Sequence, residues 1–193
     1  MIDEQTLVEQ TRNGNMNAFR HLVERYQVKI YRLAYDLSGN HLDAEDVSQD
    51  VFLKAYKSLH NFRGDSKFGT WLYRITVNTC YDHRSKKSLS MIKPLQKTND
   101  EDDPAPFEHP SNSLTPEQSA EASFIQKDIE RALEQLTPRE KVVFTLRHYH
   151  DLPLKEIANT LEISLGSVKT LLFRAIRRLQ NELSVYREEL GIE

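Results

Sequence analysis

Five of the seven prolines in this chain fall between Pro94 and Pro116. Proline has no amide proton and clashes with the preceding helical turn, so no continuous helix can cross such a stretch. The same stretch is acidic. Residues 98–118 hold Asp100, Glu101, Asp102, Asp103, Glu108 and Glu117 and no Lys or Arg. A segment of this kind repels itself and has little apolar surface to bury, which predicts an extended, mobile linker over 91–114. The 193 residues are thereby divided into an N-terminal half, 1–90, and a C-terminal half, 115–193. In both halves apolar residues recur three and four apart, and strand-like alternation is scarce. The expectation is an all-α chain: two small helical domains joined by a flexible acidic linker.

The N-terminal half predicts helices over about Glu4–Asn13 and Asn17–Ser38, each followed by a glycine (Gly14, Gly39) suited to a helix C-terminus. Asp43 is the expected cap of a third helix, with Glu45 and Asp46 in its first turn where the dipole favours acid. A loop over Asn61–Ser66 and a helix over about Phe68–Arg84 follow. In the C-terminal half, Thr115-Pro116 and Thr137-Pro138 both read as helix starts, and Thr137 with Glu140 fits a capping box.

Leu154 to Leu183 reads as a short helix, a tight turn and a longer basic helix. At 100° per residue, Val168, Leu172, Ala175, Leu179 and Leu183 share one narrow arc. Lys169, Thr170, Phe173, Arg174 and Arg177 project elsewhere, and an aromatic ring among cations suits apolar contact with a thymine methyl. Ser164 fits the N-cap, with Gly166 and Ser167 in the first turn, where backbone amides can approach a phosphate. This is the layout of a helix-turn-helix that packs on its own domain and presents donors to the DNA major groove. An ordinary helical hairpin with a solvated basic face is the plainer alternative, and Phe173 argues against it.

The net charge of −3 is low for a DNA binder, but six carboxylates lie in the acidic segment and the remainder is net basic. Such a chain should hold free DNA weakly and need a larger partner. In the loop, Phe62, Arg63, Gly64, Asp65, Ser66 and Lys67 mix an aromatic ring with cations and a glycine. Asn78, Asp82, Arg84, Lys86 and Lys87 follow on the next helix. That mixture suits a single strand, with a base stacked or pocketed while cations track phosphates. Phe62 is the expected stacking ring, while Trp71 and Tyr73 at helical spacing read as core. Asp46, Gln49, Asp50 and Phe52 lie on an acidic helix that could dock a basic helical partner; taken alone they fit a well-capped surface helix.

An enzyme is disfavoured. His148 and His150 are two residues apart and diverge by about 200° on a helix. There is no glycine-rich phosphate loop, no metal-ligand spacing and no activated nucleophile, so no cofactor or metal is expected. Cys80 is a lone cysteine and reads as a small buried residue. No apolar run approaches the roughly 20 residues that span a bilayer, and the acidic, polar start does not read as a signal peptide, so a cytoplasmic location is expected. A two-domain helix-turn-helix regulator is the second reading, although it leaves the loop and the acidic helix unexplained.

Two runs carry a family resemblance. The stretch DAEDVSQDVFLKAYKSLHNFRGDSKFGTWLYRITVNTCYDHRSKK resembles region two of the extracytoplasmic function (group 4) sigma factors. The stretch LTPREKVVFTLRHYHDLPLKEIANTLEISLGSVKTLLFRAIRRL resembles their region four. The resemblance implies a subunit that binds bacterial core RNA polymerase and directs it to promoters. Asp46, Gln49, Asp50 and Phe52 would meet the clamp helices of the largest subunit. The loop at Phe62 and Arg63, with Asn78, would capture an unstacked base of the −10 element, and Arg84, Lys86 and Lys87 would lie on the promoter backbone. Lys169, Thr170, Phe173, Arg174 and Arg177 would read the −35 duplex. The flap of the second polymerase subunit and an anti-sigma protein are further implied partners. Two positions depart from the pattern. Glu162 stands in the turn where many such units have glycine, at a strain of order 1 kcal/mol if its backbone is left-handed. Leu171 stands where relatives often have arginine.

Overall fold

The computed structural model describes residues 3–90, 116–184 and 186, with side chains placed outside 88–90 and 116–124. The linker expected over 91–114 lies outside the described residues. In the N-terminal half, α1 (Glu4–Arg12), α2 (Met16–Ser38), α3 (His41–Ser58) and α4 (Phe68–Ser90) are joined by short turns, with a 3-10 turn at Leu59–Asn61. The C-terminal half holds α5 (Pro116–Glu134), α6 (Pro138–His148), α7 (Leu154–Leu161) and α8 (Leu165–Glu182). Among the described residues all regular structure is helical.

Local chemistry sets the boundaries. Asn15 caps α2 by accepting from the amides of Asn17 and Ala18 at 3.0 and 3.2 Å. Gly39 ends that helix in the left-handed region at φ 82°, which glycine adopts without a Cβ clash. The cap of α3 differs from expectation. Asn40, not Asp43, is the N-cap: its Oδ1 accepts from the Asp43 amide at 2.7 Å and its Nδ2 donates to Asp43 Oδ2 at 2.6 Å. The carboxylate still lies in the first turn, where the helix dipole favours it. Thr137 and Glu140 form the expected capping box of α6.

In the N-terminal half, α2, α3 and α4 pack against one another around Leu22, Ile30, Val47, Val51 and Leu72, each no more than 1 % exposed. In the C-terminal half, Ala175 and Leu179 of α8 close over Ala132 and Leu133 of α5 and Leu136. The helical periodicity did not reveal that the two halves meet. Leu33 of α2 and Val77 of α4 are buried in the same cluster as Val142, Val143 and Leu146 of α6 and Ile157 of α7. Burying a Leu or Val side chain stabilises by about 1.5–3 kcal/mol, so this shared cluster is a real interdomain contact.

Candidate nucleic-acid interface

The turn between α7 and α8 is built as the helix-turn-helix reading requires. Ala158 is 8 % exposed and Ile157 and Val168 are fully buried where the two helices cross. Glu162 ends α7 with φ 54° and ψ 40°, so the left-handed turn expected of a glycine is made by a glutamate. Ser164 then caps α8, its Oγ accepting from the Ser167 amide at 3.0 Å. Along α8 the dry arc is confirmed: Val168 and Ala175 are fully buried and Leu179 is 9 % exposed.

The opposite face is open. Gly166, Ser167, Lys169, Thr170, Arg174 and Arg177 are exposed, and Phe173 is 66 % exposed. Thr170 donates its hydroxyl back to the Gly166 carbonyl at 3.0 Å, which leaves its oxygen as an acceptor. Arg178, the last cation of the basic cluster on α8, reaches back to the buried Glu140 at 3.3 Å and so ties α8 to the start of α6. Leu171 is half-buried in place of a charge. Together with Tyr81, Arg139, Arg174 and Arg178 it lines a groove of about 850 Å³ where α4, α6 and α8 converge. Burial, and after it the nearby Arg84 guanidinium, hold the Lys141 ammonium below the ordinary lysine range.

The loop after α3 departs from expectation at its aromatic residue. Phe62 is 9 % exposed and packs on Trp71 and Phe68 at ring-centroid separations of 5.0 and 6.0 Å. It anchors the loop in the core, where a ring standing ready to stack on a base was expected. The loop's apolar position next to Leu59 and before Phe68 pulls the ring inward, a long-range packing effect invisible to local composition. Arg63, Gly64, Asp65 and Lys67 are exposed and Ser66 is half-buried. Gly64 has φ 82°, which requires glycine or strain. At Gly69 a Cβ would stand 2.9 Å from Tyr26 Oη, so any side chain there would have to push the Tyr26 ring aside.

The cations after the loop are partly committed. Asn78 and Asp82 are exposed one turn apart on α4, and Lys54 from α3 binds Asp82 at 3.2 Å and Thr79 at 3.1 Å. Lys87 binds Asp43 at 2.8 Å, joining the end of α4 to the start of α3. Partial burial works against ionisation of Asp43, but hydrogen bonds from Lys87 and Asn40 outweigh it and hold its carboxyl below the usual range. Lys67 meets Glu156 of α7 at 2.7 Å, which raises its affinity for the proton. Arg84 and Lys86 are exposed.

The outer face of α3 is larger than the acidic motif suggested. Asp46, Gln49 and Asp50 are exposed, whereas Phe52 turns inward against the core. Leu42, Leu53 and Tyr56 are 73 %, 57 % and 42 % exposed. With Asp46 and Gln49 they form one ridge at three- and four-residue spacing, an amphipathic surface with acid and apolar groups side by side. The signal in the sequence is the apolar Leu42, Leu53 and Tyr56 in helical register with Asp46 and Gln49.

No group of three or more metal-ligating side chains occurs among the described residues, and no described helix is long and apolar enough to cross a membrane. Cys80 is largely buried, and burial pushes its thiol up to about 12, out of the reactive range.

Comparison with known proteins agrees with this layout. Residues 22–89 match the Sigma-70 region 2 family and residues 126–179 the Sigma-70, region 4 family. The chain is 34 % identical over 184 residues to the RNA polymerase sigma-H factor of Pseudomonas aeruginosa, covering 93 % of each. It is 35 % identical over 190 residues to the ECF RNA polymerase sigma-E factor of Escherichia coli, covering 94 % of this chain and 95 % of that one. It is 30 % identical over 176 residues to the ECF RNA polymerase sigma factor SigW of Bacillus subtilis, covering 91 % and 94 %. The fold matches that of CnrH, solved in complex with the cytosolic domain of CnrY, with a TM-score of 0.68, 24 % identity and 95 % and 99 % of the two chains covered. With helices of both regions in order, an exposed helix-turn-helix face and a cation-lined loop on the other half, the chain belongs to the ECF-type sigma factors and is an alternative sigma factor that directs transcription.

Proposed function

We propose that this chain is a group 4 promoter-specificity subunit whose two halves read two promoter elements in different forms. The chemistry belongs to the polymerase, and the sigma subunit contributes position. The open face of α8 supports duplex reading of the −35 element: Arg174 and Arg177 supply forked donors, Phe173 an apolar contact and the α8 N-terminus a phosphate site. The loop with Arg63, Gly64, Asp65, Ser66 and Lys67, backed by Asn78 and Asp82, supports capture of the melted −10 strand. In this reading the base enters beside the Phe62–Trp71 cluster instead of stacking on Phe62. Arg84 and Lys86 follow the backbone, joined by Lys87 when it leaves Asp43. The ridge of Leu42, Asp46, Gln49 and Leu53, with Asp50 beside it, suits the clamp helices of the largest polymerase subunit, with Phe52 holding that ridge from beneath. The flap of the second subunit and an anti-sigma protein are proposed as further partners, from family membership.

The observation that carries the reading is the 66 % exposed Phe173 set among arginines on a helix whose other face is dry. The test is transcription by core polymerase with this chain and a randomised promoter library, followed by start-site mapping. The reading expects initiation from one shared motif, and an Arg174→Ala variant that loses about 1–3 kcal/mol of discrimination at one −35 position. Initiation without sequence preference would overturn it. Tight sequence-specific duplex binding without polymerase would favour a free-standing regulator instead.

A further inference from the structure

Lys141 on α6 is half-buried, and among the described residues it has no hydrogen-bond or ion-pair partner. Lys54, Lys67 and Lys87, by contrast, are each held by a carboxylate. The groups that act on Lys141 come from three other helices. Arg84 of α4 opposes its charge, while Glu134 of α5, Asp36 of α2 and Cys80 of α4 favour it. Burial and then Arg84 outweigh the acids, so this ammonium gives up its proton more readily than an ordinary lysine. A lysine desolvated beside a second cation keeps more of the neutral, nucleophilic amine at neutral pH.

The same turn of α6 borders a cleft that attracts anions. Thr137 and Pro138 precede Lys141 by four and three residues, on one face of the helix. Both line the groove of about 850 Å³, as does Tyr81, whose hydroxyl donates to the Pro138 carbonyl at 3.2 Å. Arg139, Arg174 and Arg178 line it too. The carboxylate on its wall, Glu140, is 3 % exposed and engaged by Arg178. Arg139 and Arg174 have no ion-pair partner among the described residues, so their guanidinium forks are free to take phosphate oxygens.

We propose that Lys141 is a lysine acylation site, and that the arginine-lined groove beside it holds the phosphate of an acyl phosphate while the amine attacks. The Lys141 nitrogen adds to the acyl carbon, and the new N–C bond forms as the C–O bond to phosphate breaks. Inorganic phosphate leaves with the bonding pair, and the proton of the nitrogen passes to water. The arginines both hold the donor and neutralise the charge that builds on the leaving phosphate. The product is an uncharged amide, so the modification removes a half-buried cation that stands beside Arg84.

The test incubates the full chain with limiting acetyl phosphate at neutral pH and follows acetylation of each lysine by peptide mass spectrometry. Lys127 and Lys155, both exposed, are the internal standards. The proposal expects Lys141 to react several-fold faster than either in the folded chain and no faster in urea. Arg139→Gln, at an exposed position, should slow acetylation of Lys141 by acetyl phosphate by up to about fivefold, the worth of one exposed ionic contact. The same variant should leave the reaction of Lys141 with p-nitrophenyl acetate, an uncharged acyl donor, unchanged. Melting curves confirm that Arg139→Gln folds as wild type does. Acetylation of Lys141 no faster than that of Lys127 and Lys155 overturns the proposal. So does a preference for Lys141 that ignores Arg139, because the groove would then hold no donor. The assay contains neither DNA nor polymerase, so its result is independent of start-site mapping.

Discussion

Arg74 on α4 and Glu162 in the turn before α8 bridge the two halves of the chain, and Glu162 does so from a backbone at φ 54° and ψ 40°. The contact joins a local cost to a long-range gain. A left-handed non-glycine residue is strained by about 1–2 kcal/mol, and an exposed ion pair returns at most about 1 kcal/mol. The balance explains why glycine is tolerable at this turn and why its absence needs a tertiary explanation.

Replacement of Glu162 by isoleucine should destabilise the C-terminal half by about 1–2 kcal/mol, because a β-branched residue tolerates the left-handed region worst and also loses the bond to Arg74. Glycine at the same position should leave its stability unchanged or raise it by up to about 1 kcal/mol. Native-state hydrogen exchange of the α7 and α8 amides distinguishes the two outcomes. Equal protection in both variants would show that the turn stores no strain.

Phe62→Ala should act on stability first. A buried phenylalanine replaced by alanine costs about 3–5 kcal/mol, and Phe62 touches both Trp71 and Phe68. Urea unfolding reads that loss. Arg63→Ala, at an exposed position of the same loop, should leave the unfolding midpoint unchanged and reduce open-complex formation. If Phe62→Ala unfolds like wild type yet fails to open promoters, the ring acts on DNA and its burial here is only one of its states.

The Asp43–Lys87 pair predicts an acid-sensitive clasp between the ends of α3 and α4. The Asp43 carboxyl is held below its ordinary value of 3.8 in the folded chain. The pair's contribution is therefore complete above about pH 4 and disappears as pH falls through the lower, folded value. Asp43→Asn should cost about 0.5–1 kcal/mol at neutral pH, discounted for the half-exposed Lys87, and nothing in strong acid. Urea midpoints of the two proteins across pH 2–7 should converge at the acid end; a constant gap would mean that the charge is not what Asp43 contributes.

Leu53 is 57 % exposed on the ridge of α3. Leu53→Glu should weaken competition for core polymerase by about 1–2 kcal/mol, five- to thirtyfold, while melting stays within about 0.5 kcal/mol of wild type. Competition with wild type for a limiting amount of core polymerase measures it. Undiminished competition would move the polymerase contact off this ridge.

The amino-acid order alone was enough for the helices, the capping box at Thr137 and the dry and wet faces of α8. These depend on contacts within one or two turns, and 3.6-residue periodicity exposes them directly. Tertiary structure decided the rest. It drew Phe62 into the core, tied Lys67, Arg74 and Lys87 to acids far away in the sequence, turned Phe52 inward and set Leu53 outward beside Gln49. Each of these depends on which helix faces which, and an ion pair or aromatic cluster between segments tens of residues apart leaves no periodic trace in either one.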